Sequence, residues 1–165
     1  MKVVFDTDVV LDLLLDRQPF APAATQLFAR AERGELVAAV CATTVTTVFY
    51  LAERARDHTA AREVLARLLA LTEVAPVGRA VLDSALASPM ADFEDAVVCA
   101  AALGAGADAV VTRNLRDFVA APLPTFSPDG LLSALDALAA GGAQPSPSGT
   151  PAGSTKPART DDVTT

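Results

Sequence analysis

Short apolar runs of strand length alternate with stretches of helical period along most of this chain, and that alternation leaves few folds open to it. MKVVF suits a buried parallel strand, and TDVVLDLLLDR then shifts to helical spacing, with Asp8 placed to cap its first turn. After a turn at residues 18–22, APAATQLFARAERG reads as a helix closed by Gly34, and LVAAVCA as a second strand. Helices are expected over Thr44–Arg56 and Thr59–Leu71, a short strand over Glu73–Pro76, and helices over Arg79–Ala87 and Ala91–Leu103, the last stopped by Gly104 and Gly106. ADAVVT supplies a further strand; PLPTFS and PDGLLSALDALAA supply a last short strand and helix. Strands separated by helices require right-handed crossovers, so the expected fold class is α/β, a three-layer α/β/α sandwich around a mainly parallel sheet.

The chain has 165 residues, 52% of them hydrophobic, which is enough for one domain with a proper core. That domain is expected over residues 1–138. From 139 to 165 the chain is expected to be a disordered tail, since beyond about Gly141 it has almost no large apolar residue to offset the entropy of ordering. Cys41 and Cys99 lie far apart in apolar segments and read as reduced core thiols, which implies a cytoplasmic setting. Asp6 and Asp8 interrupt the opening, so it is no secretion signal, and no apolar run is long enough to span a bilayer. A net charge of −7 argues against a protein that coats nucleic acid nonspecifically, because that requires clustered cations. It does not exclude a nuclease, whose excess acid can sit in a metal pocket while arginines at the rim meet phosphates.

Three of the apolar segments deliver carboxylates at element ends: Asp6, then Asp92 and Asp95, then Asp117. Such a set suits Mg²⁺ or Mn²⁺, which prefer hard oxygen ligands. Asp6 ends the first strand, where ligands of open α/β sheets bind; a helix-capping role is the alternative, but Asp8 is better placed for it. Asp92 and Asp95 lie within about 60° of one another on a helix. Their face continues through Val98, Cys99 and Ala102, so Asp95 heads a buried surface where a lone carboxylate is costly. Glu94 points elsewhere and reads as a complement to the helix dipole. In VVTRNLRDF a strand runs into Thr112, Arg113 and Asn114, with Asp117 one turn further on; an ordinary Asn-capped turn is the plainer reading.

Together FDTDVVLDLL, ATTVTTVFYLAERA, DFEDAVVCAAALGAGADAVVTRNLRDF and PTFSPDGLL resemble a PIN domain over residues 1–138. The resemblance implies a PIN-like sandwich and a metal-dependent ribonuclease acting on single-stranded RNA, similar to the VapC-type toxins of toxin–antitoxin pairs. It implies Mg²⁺ or Mn²⁺ ligation by Asp6 and Asp95, Asp117 completing the acidic pocket, and Thr112 and Asn114 shaping it. Asp92 joins Asp6, Asp95 and Asp117 as a catalytic candidate, and Arg113 and Arg116 are the candidate phosphate contacts. An antitoxin partner and a homodimer face are further expectations.

One position departs from the family pattern: Thr47 stands where a further acid or amide usually lies. Glu53 is the nearest acid downstream, but six residues of helix leave it about 120° from the direction of Thr47. Its plainer role is as a solvated partner of Arg56. The departure keeps open a degenerate scaffold that binds RNA or a protein without cleaving. VVFDTD also resembles the opening of haloacid-dehalogenase-like phosphatases, which need a lysine near the phosphoryl group; only Lys2 and Lys156 exist. His58 reads as a solvated residue at a helix start, and Phe49 and Tyr50 as core.

Overall fold

Val3, Val4 and Phe5 have no solvent exposure because β1 (Lys2–Phe5) is the middle strand of a five-stranded sheet, shielded on both faces. The computed structural model describes residues 1–55 and 57–142. The other strands are β2 (Val37–Cys41), β3 (Glu73–Ala75), β4 (Ala109–Val111) and β5 (Thr125–Phe126), in the order β3-β2-β1-β4-β5. All neighbouring pairs are parallel, and Phe5 stands opposite Val40 on one side and Val111 on the other.

Among the described residues, six helices fill the first three crossovers, α1 (Thr7–Leu14) and α2 (Ala21–Glu32), α3 (Ala42–Ala55) and α4 (His58–Leu71), α5 (Arg79–Leu86) and α6 (Phe93–Gly104), and α7 (Pro128–Gly142) follows β5. Side chains alternate along a strand, so Val3 and Phe5 face one layer while Val4 faces the other. The first core joins Val3, Phe5, Val40 and Val111 to Val9, Val10, Leu27, Phe28, Val48, Leu68 and Leu131 of the surrounding helices. Phe5 stacks there on Phe28, with ring centroids 4.6 Å apart. The second core joins Val4, Ala39 and Val110 to Ala85 of α5 and to Val97, Val98, Ala101 and Ala102 of α6. Helices therefore cover both faces, giving the expected α/β/α sandwich.

Element ends follow local chemistry. Gly34 and Gly106, just past α2 and α6, have φ of 74° and 67°, a left-handed conformation that favours glycine at helix ends. Residues 139–142, read from sequence as tail, continue α7; the expected disordered segment beyond them lies outside the described residues. Tyr50, read as core, is exposed on α3 and carries the Arg54 guanidinium 5.6 Å above its ring. Cys41 and Cys99 are free and buried. Among the described residues, no helix is long and apolar enough to cross a membrane.

This strand order places a switch point beside β1. From β1 the chain crosses to β2 on one side and returns much later to β4 on the other, so connections leave the carboxyl ends of β1 and β4 in opposite directions and open a crevice between them.

Candidate functional site

Asp6 follows Phe5 directly, and with no loop between β1 and α1 it is Asp6 that takes the extended N-cap conformation. The expectation that Asp8 would cap α1 is thus corrected: Asp6 Oδ1 accepts from Thr7 N at 2.6 Å. Its backbone N–H continues the sheet, donating to Val111 O at 2.9 Å. That register sets Thr112 alongside, and Thr112 Oγ1 donates to Asp6 Oδ2 at 2.8 Å. Both residues are buried. Burial raises the Asp6 carboxyl to about 6, and the charges of Asp8 and Glu94 add to the rise, against the hydrogen bonds from Thr112 and Thr7.

Asp8 reaches the loop after β4. Its Oδ2 accepts from Arg113 N at 3.0 Å and lies 3.4 Å from Thr112 Oγ1. Burial pushes its carboxyl up, while the Arg113 amide and guanidinium pull it down. Around Thr112 the loop is closed by Asn114 N, which donates to Thr112 Oγ1 at 3.0 Å. The Asn114 side-chain amide donates to the Asp117 carboxylate, and Asp117 N returns a hydrogen bond to Asn114 O at 3.2 Å.

From the opposite layer α6 contributes Asp95. Asp92 is its N-cap, with Oδ1 accepting from Asp95 N at 3.1 Å, so Asp92 sits at the mouth of the helix rather than inside its first turn. Asp95 is half-buried, and its carboxyl is pushed up to about 7, first by burial and then by the charges of Asp6, Asp92, Asp117 and Glu94. One turn deeper, burial and then the charges of Asp95 and Asp6 drive the Cys99 thiol up to about 12, so it stays protonated at neutral pH. Three of the four acids read from sequence, Asp6, Asp92 and Asp117, therefore act on the fourth, Asp95.

Glu94, read only as a complement to the helix dipole, also acts on Asp6 and Asp95. Arg113, read as a phosphate contact, is turned inward. Its Nε lies 2.8 Å from Oδ2 of the fully buried Asp12 and 3.6 Å from Asp8, and its guanidinium stacks 4.0 Å from the Phe20 ring centroid. Arg116 is exposed. Thr47 is half-buried on α3, one turn beyond the buried Thr44, which accepts a hydrogen bond from Thr7 Oγ1 at 3.2 Å. Glu53 pairs at 2.7 Å with His58, the exposed first residue of α4; its expected partner Arg56 lies outside the described residues. Lys2 sits at the opposite end of β1, where Nζ pairs with Glu73 at 2.8 Å, so among the described residues Asp6 lacks the lysine a phosphatase of the dehalogenase type needs.

Asp8 and Asp12 were missed as participants, yet the sequence held a signal. They stand four residues apart in DVVLD, so Asp12 falls on the same buried stripe, and the reasoning that singled out Asp95 applies to it. Among the described residues, no three His, Cys, Asp or Glu side chains already stand in a metal-ligand arrangement. The donor chemistry nonetheless fits a hard divalent cation. Burial first, and then the charges of neighbouring acids, holds Asp6 and Asp95 above the usual carboxylate range, a cost that a hard cation bound between oxygen ligands would relieve.

Several solved structures share this fold. VapBC2 from Rickettsia felis, bound to a DNA fragment from its promoter, superposes with a TM-score of 0.59 at 13% identity, over 76% of this chain and 97% of that one. A toxin–antitoxin complex from Klebsiella pneumoniae gives 0.59 at 21% identity over 76% and 97%. VapC20 from Mycobacterium tuberculosis, described as a sarcin-ricin loop cleaving toxin, gives 0.53 at 20% over 66% and 86%. At these identities the likeness is one of fold. No curated protein matches the chain by sequence. The family profile of the PIN domain matches residues 2–116, across β1 to the loop after β4 and so across Asp6, Asp92 and Asp95. The chain belongs to the PIN-domain family.

Proposed function

We propose that this protein is a metal-dependent ribonuclease that hydrolyses phosphodiester bonds of single-stranded RNA, and that it is the toxin of a toxin–antitoxin pair. The observation that supports the reading is that the charges of Asp6, Asp92 and Asp117 all act on the half-buried Asp95 carboxyl beside the switch point. Asp6 and Asp95 would hold Mg²⁺ or Mn²⁺. Bound there, such an ion supplies positive charge to the scissile phosphate and acidifies an attacking water.

The rest of the work falls to the chain itself. Thr112 and the Thr7 amide fix the Asp6 carboxylate in one orientation, which lowers the reorganisation needed when phosphate arrives. Asp117, steadied by Asn114, would help position the attacking water. Asp92 takes the share of charge that Thr47 leaves unfilled. Exposed Arg116 is the candidate contact to the RNA backbone.

An antitoxin partner belongs to the same proposal, since the fold recurs in toxin–antitoxin complexes from Klebsiella pneumoniae and other bacteria. So do a homodimer and a cytoplasmic setting, the latter supported by two free buried thiols. Incubation of purified protein with total RNA, with Mg²⁺ and with Mn²⁺, tests the reading against Asp6→Ala. Fragments are expected from the wild type with metal and none from the variant. Thr47 favours one rival, a scaffold that binds RNA without cutting it; wild-type protein that binds RNA yet releases no fragments with either ion establishes that rival.

A further inference from the structure

We infer that Asp12 and Arg113 form an internal anchor that positions the loop after β4, so that both are positioning residues of the acidic site and neither is an RNA contact. The inference rests on the nuclease reading only for its activity readout.

Residue 113 is gripped in three ways. Asp8 and Asp12 stand one turn apart on α1 and both face it, Asp8 accepting from its backbone N–H at 3.0 Å and Asp12 meeting its Nε at 2.8 Å. Phe20, at the entry to α2, closes over the flat face of the guanidinium at 4.0 Å. On either side of this grip lie the groups the site depends on. Thr112 holds Asp6, and Asn114 holds Asp117 while bonding back to Thr112. Any shift of residue 113 therefore moves the partners of two acids at once.

Asp12 has 0% exposure, so it has no route to a substrate. Its Oδ1 has no hydrogen-bond partner among the described residues, and the short Nε contact lies off the N–H direction, so the pair is held by charge. Removing Arg113 leaves Asp12 a buried charge without its ion pair, and removing Asp12 leaves the Arg113 guanidinium only the longer contact to Asp8 at 3.6 Å. Arg113 is 29% exposed, with its charge already spent on Asp12 and Asp8. A phosphate would have to compete with both carboxylates for it.

The test compares Asp12→Asn, Arg113→Gln and the double variant in RNA cleavage, in the salt dependence of RNA binding, and in amide hydrogen exchange at Asn114 and Asp117. Each single change is expected to slow cleavage by on the order of a hundredfold, the cost of misplacing a reacting geometry. The double variant should be no worse than the poorer single. Exchange at both amides should quicken, and the salt slope of binding should stay at its wild-type value. A phosphate contact predicts the opposite: Arg113→Gln lowers the slope by about 0.7 for single-stranded RNA while Asp12→Asn cleaves normally, and that result overturns the anchor. Should the buried variants fail to fold, Phe20→Ala at an exposed position removes only the lid over the guanidinium. Faster exchange at Asn114 and Asp117 is then expected, and unchanged exchange overturns the inference. If wild-type protein cuts no RNA, the nuclease reading falls alone, because the exchange measurements still decide the anchor.

Discussion

Asp95 has the environment most at odds with an ionised carboxylate, and its cost is paid in the absence of metal. Folding raises Asp95 to about 7 and Asp6 to about 6, above the ordinary value of 3.8, so in the unfolded chain both hold their protons less tightly. The metal-free protein accordingly gains stability from these groups as pH falls from about 7 toward about 4, and loses it as pH rises through that window. Asp95→Asn is therefore expected to raise the apo melting temperature at pH 7.5 while abolishing cleavage. Calorimetry alongside an RNA assay checks both, and a variant that melts lower yet cleaves fully contradicts the assigned role. Asp95 was legible in the sequence because an acid heading an apolar helical stripe has to be compensated. Which acid caps α1 was not, because that depends on β1 running into α1 without a loop, a matter of backbone hydrogen bonding that a pattern of side chains does not carry.

At the scale of the element, α6 combines two demands in one residue. Asp92 satisfies the orphan Asp95 N–H at the helix start, and its charge also pushes the Asp95 carboxyl up. Serine keeps the capping oxygen and drops the charge, whereas alanine drops both. Asp92→Ala is expected to be about 1 kcal/mol less stable than Asp92→Ser in chemical denaturation. In both variants the Asp95 carboxyl should titrate below the wild-type value of about 7, read by carbon NMR. An Asp95 titration that stays put in both removes Asp92 from the acidic site and leaves it a cap alone. Helices and strands themselves were readable, because apolar runs such as KVVF and AVV are short and flanked by clear helical spacing. The end of α7 was less so: residues 139–142 are Ala, Ala, Gly and Gly, which carry no apolar stripe to mark a helix. Tyr50 failed for a related reason, since helical spacing cannot tell a face that meets the core from one that carries an Arg54 stack over water.

Over the whole molecule, the layers and the parallel sheet followed from alternation, but the strand order did not. The crevice beside β1 exists only because β4 returns to the side away from β2. A cation seated there binds the folded chain alone. At a concentration one hundred times its dissociation constant, Mn²⁺ is expected to add about 2.7 kcal/mol and raise the melting temperature by roughly 5–10 °C. The rise should shrink at pH 5, where Asp6 and Asp95 have to release protons to bind it. Melting curves with and without Mn²⁺ at pH 7.5 and pH 5 check this, and identical curves at pH 7.5 contradict a cation site.

The hydrogen bond from Thr112 to Asp6 joins residues 106 positions apart. A ribosome lengthening the chain by about 5–20 residues each second makes the first carboxylate long before the loop that orients it, leaving an interval of roughly 5–20 seconds. Through that interval a growing chain carries Asp6 without the Thr112 hydroxyl that orients it. The acidic crevice is thus among the last parts of the domain to be completed, a delay set by topology alone.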